Sequence, residues 1–269
     1  MNPIIFQVGQ FSVRWYSVLI LIGVLCGYEI AKREGKRLNF SEDFIFNMMF
    51  WTVIFGLIGA RIYYVIFNWS IYSSDLLSIF KLWEGGLAIH GGIIAGLIAL
   101  YFYCNKYNVK VIRMTDIIVV SLILAQAIGR WGNFFNSEAH GAATTLRALE
   151  ANPFLPEFII KGMNIGGVYY QPTFYYESVF CLVGFIIMLI LRRNKNLKVS
   201  QLTAFYLIWY GLVRFVIESM RTDSLMLGAF KMAQIVSILM IIIGIVMIII
   251  SLKKKKYDNL YNIKEKKMI

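Results

Sequence analysis

Three stretches of this 269-residue sequence place chemistry-bearing side chains at spacings that bring them together. In Tyr210-Gly-Leu-Val-Arg214-Phe-Val-Ile-Glu218-Ser-Met-Arg221 the charges fall at i, i+4 and i+7, on one face of a helix. The stretch from Gly129 to Gly141 gathers Arg130, Asn133 and Glu138 among glycines. Arg130 can hold a phosphate through paired planar donors, Asn133 adds an amide, and the glycines allow close backbone approach. In Gly85-Gly86-Leu-Ala-Ile-His90-Gly91-Gly92 a histidine stands among small residues that leave room for a ligand or a second backbone. Together these types offer anion binding, with carboxylates to orient the guanidiniums and an imidazole able to titrate near neutrality. A plainer reading stands beside each: a self-neutralising Arg–Glu–Arg ladder, a helix-exit loop, a packing histidine.

The elements that must hold them are membrane helices. The chain is 59% hydrophobic with mean hydropathy +0.66, and its 16% of charged residues lies well below the ~25% of soluble domains. Too little polar surface remains for a water-soluble globule, which excludes a soluble enzyme, a disordered chain and a soluble nucleic-acid module. The expected fold is an all-α integral membrane protein with seven transmembrane helices, at about 13–31, 44–67, 86–104, 114–135, 173–191, 201–220 and 232–252. Connections alternate in charge. One set carries Lys32, Arg33, Lys36, Arg37, Lys106, Lys110, Arg113, Arg192, Arg193, Lys195 and Lys198, and the tail adds Lys253 to Lys256, Lys264, Lys266 and Lys267. The opposite set holds only Arg14, Lys81, Arg147, Lys161, Arg221 and Lys231, six against eighteen. This bias puts the N-terminus outside and the C-terminus in the cytoplasm.

On this reading residues 1–252 form one membrane domain, with a small external cap at about 136–172 between the fourth and fifth helices. The link at 68–85 reads as moderately polar. Residues 253–269 form a basic cytoplasmic tail that meets anionic lipid and not nucleic acid. Cys26, Cys104 and Cys181 read as small buried hydrophobes, and the N-terminal stretch lacks the marks of a removable signal peptide.

Ionisable residues inside spans are costly and point to function. In the expected topology Arg14, Tyr16, Arg61, His90, Arg130, Glu138, Arg214, Glu218 and Arg221 all fall in the outer half, and Asp116 near an inner helix end is the exception. No Cys/His cluster, HExxH, G-x-S-x-G or acidic metal-binding signature is present, so no metal and no cofactor is expected. The enzyme reading is a metal-independent transferase acting on an anionic phospholipid at the outer face. A lipid or small-anion transporter, which would spread polar groups through the full thickness, and a purely structural membrane protein are the competing classes.

Gly129 to Gly141 resembles the signature of prolipoprotein diacylglyceryl transferases, G-R-x-G-N-F-x-N-x-E-x-x-G, at every fixed position. The likeness extends to Arg14-Trp15-Tyr16, Gly59-Ala60-Arg61, His90-Gly91-Gly92 and the Arg214–Glu218–Arg221 face with the Arg-Thr-Asp turn after it. Pro172, Thr173, Tyr176 and Glu177 match the family's H-P-[ST]-Q-L-Y-E segment, where Gln171 and Phe174 replace its His and Gln and therefore receive no catalytic role. The resemblance implies seven spans in the bacterial plasma membrane, with the active site opening to the outer side. It implies transfer of the diacylglyceryl group of phosphatidylglycerol to the lipobox cysteine of a prolipoprotein signal peptide, with release of glycerol 1-phosphate, as the first step of lipoprotein maturation. The implied catalytic residues are His90, Arg130, Arg214, Glu218 and Tyr16, and the implied phosphatidylglycerol-binding residues are Arg130, Asn133, Glu138, Gly141 and Arg221. In this scheme Arg130 and Arg214 clamp the leaving phosphate and Glu138 and Glu218 orient them. The thiol's proton goes to His90, or the thiolate is formed by an arginine or a water relay.

Overall fold

The computed structural model describes residues 3–8, 11–228, 230–253 and 260–265. Lys254 to Lys256, Lys266 and Lys267 of the expected basic tail lie outside the described residues. An antiparallel hairpin of β1 (Ile4–Val8) and β2 (Phe11–Arg14) leads into α1 (Trp15–Arg37). Then come α2 (Glu42–Phe67), the short α3 (Trp69–Tyr72), α4 (Ile89–Lys106) and α5 (Val111–Asn136). A cap follows, made of β3 (Ala143–Thr144), α6 (Leu146–Glu150), α7 (Glu157–Gly162), β4 (Asn164–Ile165) and β5 (Val168–Tyr170). The chain ends with α8 (Thr173–Leu191), α9 (Gln201–Met220), the hairpin β6 (Met226–Leu227)–β7 (Phe230–Lys231) and α10 (Met232–Lys253).

The protein is mostly helical and multi-pass: α1, α2, α5, α8, α9 and α10 are long and apolar enough to cross a membrane. These are six of the seven expected spans. The remaining one, at 86–104, is helical as α4, but its 18 residues include His90, Asn105 and Lys106, and these dilute its apolarity below that of the other six. Outward faces carry exposed Leu25, Ile190 and Ile242, as lipid-facing helices do.

The chain divides into two compact units, and the first comprises residues 1–30 and 115–263. Here α1 runs antiparallel to α5 through small residues. A Cβ on Gly23 would lie 3.3 Å from Ala125, and one on Gly27 would lie 3.4 Å from Ser121, whose Oγ donates to the Gly27 carbonyl at 2.7 Å. Helices in lipid lack a hydrophobic drive toward one another, so close backbone approach and such bonds hold them. Gly211 and Gly244 do the same for α9 against α10, where an added Cβ would come within 2.9 Å and 2.7 Å of an isoleucine side chain.

Asp116, the exception to the expected outer clustering, is wholly buried. Its Oδ2 accepts from Ser200 N at 2.6 Å, and its Oδ1 accepts from Thr203 N at 2.8 Å and Thr203 Oγ1 at 2.6 Å. It therefore caps α9 from another helix, where Ser200 itself, at φ 83°, makes no side-chain cap. At the same end Lys198 Nζ donates to the Ser251 carbonyl at 3.0 Å, and Tyr261 is fully buried with its N–H on the Leu197 carbonyl at 2.8 Å.

The cap has its own small core of Leu149, Leu155, Ile159, Ile160 and Met163 around Phe134 and Phe174. Cys181 is buried as expected, whereas Cys26 is exposed, because its position on α1 turns away from the α5 seam that Gly23 and Gly27 occupy.

The second unit comprises residues 31–114 and 264–269. Helices α2 and α4 pack antiparallel along glycines: a Cβ on Gly59 would fall 2.2 Å from Ala95 Cβ and 2.7 Å from the Gly91 carbonyl. Cys104 is buried in this unit. The 68–85 link, expected to be moderately polar, exposes Leu77, Phe80 and Trp83 instead. Glu265 pairs with Arg113 at 2.5 Å, and its N–H donates to the Leu38 carbonyl.

Replacing Asp116 with alanine strands two backbone donors and a hydroxyl, and should cost about 1–3 kcal/mol. Thermal unfolding in detergent checks this, with Asp116→Asn expected to lose less.

Candidate active site

The signature stretch becomes the end of α5 and its exit. Ser137 N donates to the Phe134 carbonyl at 3.1 Å and Glu138 N to the Asn133 carbonyl at 3.0 Å, with Ser137 at φ 54°. This is a Schellman ending in which a serine takes the left-handed position that glycine usually fills. The side chains meet across it, since Glu138 Oε1 accepts from Asn133 Nδ2 and Asn136 Nδ2, both at 3.1 Å. Glu138 thus holds amides, where orientation of an arginine was expected.

Of the motif's glycines, Gly129 faces open space. Gly132 admits Tyr16: a Cβ there would lie 2.4 Å from the Tyr16 ring and 3.2 Å from its Cα. Gly141 sits at a backbone crossing. Its N–H donates to the Gln171 carbonyl at 2.9 Å, it bridges to Arg221, and a Cβ would meet Gln171 Cβ at 2.8 Å and Thr173 Cγ2 at 3.0 Å.

The centre of the first unit's site is a carboxylate that the sequence reading assigned no role. Glu177, in the second turn of α8, is buried to 2% side-chain exposure between two arginines. Its Oε1 lies 2.8 Å from Arg130 Nη2, and its Oε2 accepts from Arg214 Nη1 at 3.2 Å. Tyr210 Oη donates to Oε1 at 3.1 Å and accepts from Arg130 Nη2 at 3.2 Å. Glu218, at 3% exposure, pairs with Arg214 Nη2 at 2.7 Å, as the i, i+4 spacing foretold. Three helices therefore contribute: α5 with Arg130, α8 with Glu177, and α9 with Tyr210, Arg214 and Glu218. Ser178 ties α5 to α8 beside Glu177, accepting from Trp131 Nε1 at 3.2 Å and donating to the Ala127 carbonyl at 2.8 Å.

Two bare guanidiniums brought this close would repel each other, the more so away from water. The bridging carboxylate offsets that repulsion, with one oxygen to each arginine. A sequence signal for Glu177 existed: an ionisable residue inside an apolar span is functional by default. Gln171 and Phe174 take structural posts. Tyr176 Oη donates to Gln171 Oε1 at 3.2 Å, and Phe174 stacks on Phe134 at 4.8 Å in the cap core.

Arg221 stands just past α9, apart from these pairs, and forks onto Asp223 with Nε–Oδ1 at 2.9 Å and Nη2–Oδ2 at 2.8 Å. Those hydrogen bonds hold the Asp223 carboxyl below its usual range, so the pair's contribution is present above the ordinary carboxyl value and fades as pH falls through the lowered one. Lys231 Nζ caps α9, donating to the Glu218 and Arg221 carbonyls, each at 2.7 Å.

In the second unit, His90 is exposed in the first turn of α4, its ring 6.2 Å from that of Tyr63. Arg61 is buried and donates to the carbonyls of Ser78, Ile79, Gly85 and Gly86 at 2.6–3.0 Å. With its donors on main-chain carbonyls, Arg61 shapes the turn that leads into His90.

Fold and first-unit site together define a multi-pass membrane protein with a buried arginine–carboxylate cluster at one end of its helices. The chain belongs to the prolipoprotein diacylglyceryl transferase family, whose sequence profile matches residues 3–250. It is 47% identical over 258 residues to the phosphatidylglycerol–prolipoprotein diacylglyceryl transferase of Staphylococcus saprophyticus, covering 96% of this chain and 91% of that one. The enzyme of the same name from Staphylococcus carnosus is 49% identical over 249 residues (92% and 90%), and that of Streptococcus uberis is 45% identical over 255 residues (94% and 96%).

Gly141→Ala drives a methyl into Gln171 and Thr173, and should cost about 1–3 kcal/mol, read as a lowered melting temperature. Ser137→Gly relieves a left-handed serine and should raise it.

Proposed function

We infer that this chain carries out the transfer its family is named for. The diacylglyceryl group of phosphatidylglycerol moves to the lipobox cysteine thiol of a prolipoprotein, which is the first step of lipoprotein maturation. The observation that carries this reading is the pair of guanidiniums, Arg130 and Arg214, held side by side by one buried carboxylate within a full match to the family's signature.

The thiolate attacks the glycerol carbon that bears the phosphate. A carbon–sulfur bond forms, the carbon–oxygen bond breaks, and its electron pair leaves on the phosphate of glycerol 1-phosphate. The leaving group gains a charge as it departs, and Arg130 and Arg214 meet that charge where water is scarce and electrostatic contacts are strong. Glu218 orients Arg214. Tyr16 stands with the catalytic residues, and Asn133, Glu138, Gly141 and Arg221 complete the lipid site with Arg130. Asn133 and Glu138 act as one bonded unit, and Gly141 sets the backbone on which Arg221 emerges. His90 is the side-chain candidate for the thiol's proton.

The charge asymmetry of the connections supports seven crossings, with the N-terminus outside, the C-terminus in the cytoplasm and the site opening to the outer face of the bacterial plasma membrane. In this arrangement α4 supplies the remaining span. Its 18 residues measure roughly 27 Å at 1.5 Å per residue, against a hydrocarbon core of about 30 Å. Residues 1–252 then act as one catalytic membrane domain, with the 136–172 cap outside and 253–269 as the cytoplasmic tail. A transporter is less favoured, because the inner-end carboxylate, Asp116, is spent on capping α9.

Purified protein in detergent with phosphatidylglycerol and a synthetic lipobox peptide should yield a diacylglyceryl mass gain on the peptide. A Cys→Ser peptide and the Arg130→Ala enzyme should show none. Arg130→Lys keeps the charge and loses the planar fork, so turnover should fall by about 100-fold or more; full activity would remove Arg130 from the phosphate clamp. A His90→Asn enzyme with normal turnover at raised pH would show that no imidazole base is required.

A further inference from the structure

We propose that Glu177 is the positioning residue of the transfer site, setting both the spacing and the net charge of the arginine clamp so that it takes a singly charged phosphodiester and releases a doubly charged phosphate monoester. This rests on the transfer reading above and adds a determinant of substrate and product discrimination.

Spacing follows from the geometry. Glu177 gives one carboxylate oxygen to each arginine, Oε1 to Arg130 at 2.8 Å and Oε2 to Arg214 at 3.2 Å, so the separation of the two guanidiniums is set by the width of one carboxylate. Tyr210 fixes the roll of that carboxylate by donating to Oε1. Ser178, its neighbour on α8, anchors the helix to α5, where Arg130 resides.

Charge follows from the count. The cluster holds Arg130 and Arg214 against Glu177 and Glu218, with both carboxylates almost fully buried. With two arginines against two carboxylates the clamp by itself is neutral, although each guanidinium keeps donors to offer; the Arg130 and Arg214 side chains retain 22% and 18% exposure. A neutral cluster binds a monoanion through directed hydrogen bonds and has no surplus charge with which to retain a dianion. Phosphatidylglycerol carries one negative charge on its diester, and the departing glycerol 1-phosphate carries about two near neutral pH, because a phosphomonoester's second pKa is ≈ 6. Removing Glu177's charge would give the cluster a net charge of +1, and the product would be held.

The test is steady-state kinetics of wild type, Glu177→Gln, Glu177→Asp and Tyr210→Phe, with phosphatidylglycerol and lipobox peptide, and with added glycerol 1-phosphate as inhibitor. Melting temperatures are taken on the same samples. Wild-type turnover is the control for the transfer reading, and its failure would sink that reading before Glu177 is tested. Given turnover, Glu177→Gln should lower kcat by about tenfold or more while KM for phosphatidylglycerol stays level or falls, and glycerol 1-phosphate should inhibit at least about fivefold more tightly. Glu177→Asp keeps the charge but retracts the carboxylate, so kcat should fall with product inhibition at the wild-type level. Tyr210→Phe should likewise lower kcat alone. Wild-type kcat and product inhibition in Glu177→Gln would overturn the proposal, as would tighter product inhibition in Tyr210→Phe. If Glu177→Gln fails to fold, an Asp variant with unchanged kcat overturns the positioning role and one with reduced kcat sustains it.

Discussion

A charged carboxylate inside a helix bundle made for lipid is the constraint around which the first unit is organised. Glu177 lies in the second turn of a 19-residue apolar helix, where an unpaired charge would cost several kcal/mol or shed itself by taking a proton. Its partners come from two other helices, so α5, α8 and α9 must converge at this point for the charges to be tolerated. Buried ion pairs add little net stability, yet breaking one is expensive. The cluster therefore acts less as glue than as a specification: an arrangement that separates Arg130, Glu177 and Arg214 leaves an uncompensated charge in a low-dielectric setting.

The rest of the bundle makes this convergence possible without a hydrophobic drive between helices. Glycines on α1, α9 and α10 bring backbones of this unit within van der Waals contact, which places side chains at neighbouring helix ends at defined distances. Gly132 does this for Tyr16 within the signature itself. At the opposite end of the unit, Asp116 caps α9 from α5 and fixes how far α9 slides along its neighbour. Arg214 and Glu218 ride on that same helix, so a cap far from the chemistry helps set the register of the clamp.

The cap between α5 and α8 is tied to the same site. The Schellman ending at Ser137 turns the chain out of the membrane, and the Asn133–Glu138 bond closes that turn in place of the usual apolar contact. Gly141 then lets three backbone segments meet, carrying the chain to Arg221 on one side and Gln171 on the other. Fixed spacing in the signature from Gly129 to Gly141 thus has a backbone reason as well as a chemical one.

Much of this was legible in the sequence. Six of the spans, the i, i+4 pairing of Arg214 with Glu218, and the concentration of arginines follow from hydropathy and helical periodicity, which are local properties of the chain. Its family membership was also readable, because the signature from Gly129 to Gly141 is contiguous. What sequence could not supply were partners distant along the chain. Glu177 lies 47 positions from Arg130 and 37 from Arg214, and only the packing of α8 between α5 and α9 makes it their common counterion. Asp116 looked like an isolated inner charge until α9 was set beside it, Glu138 looked like an arginine's partner until its turn closed on two amides, and Arg61 was one ionisable residue of the expected outer half until its donors met the carbonyls of the loop before His90. Periodicity decides which face of a helix a residue occupies, whereas packing decides which side chain it faces, and a charge in an apolar bundle takes its role from that neighbour.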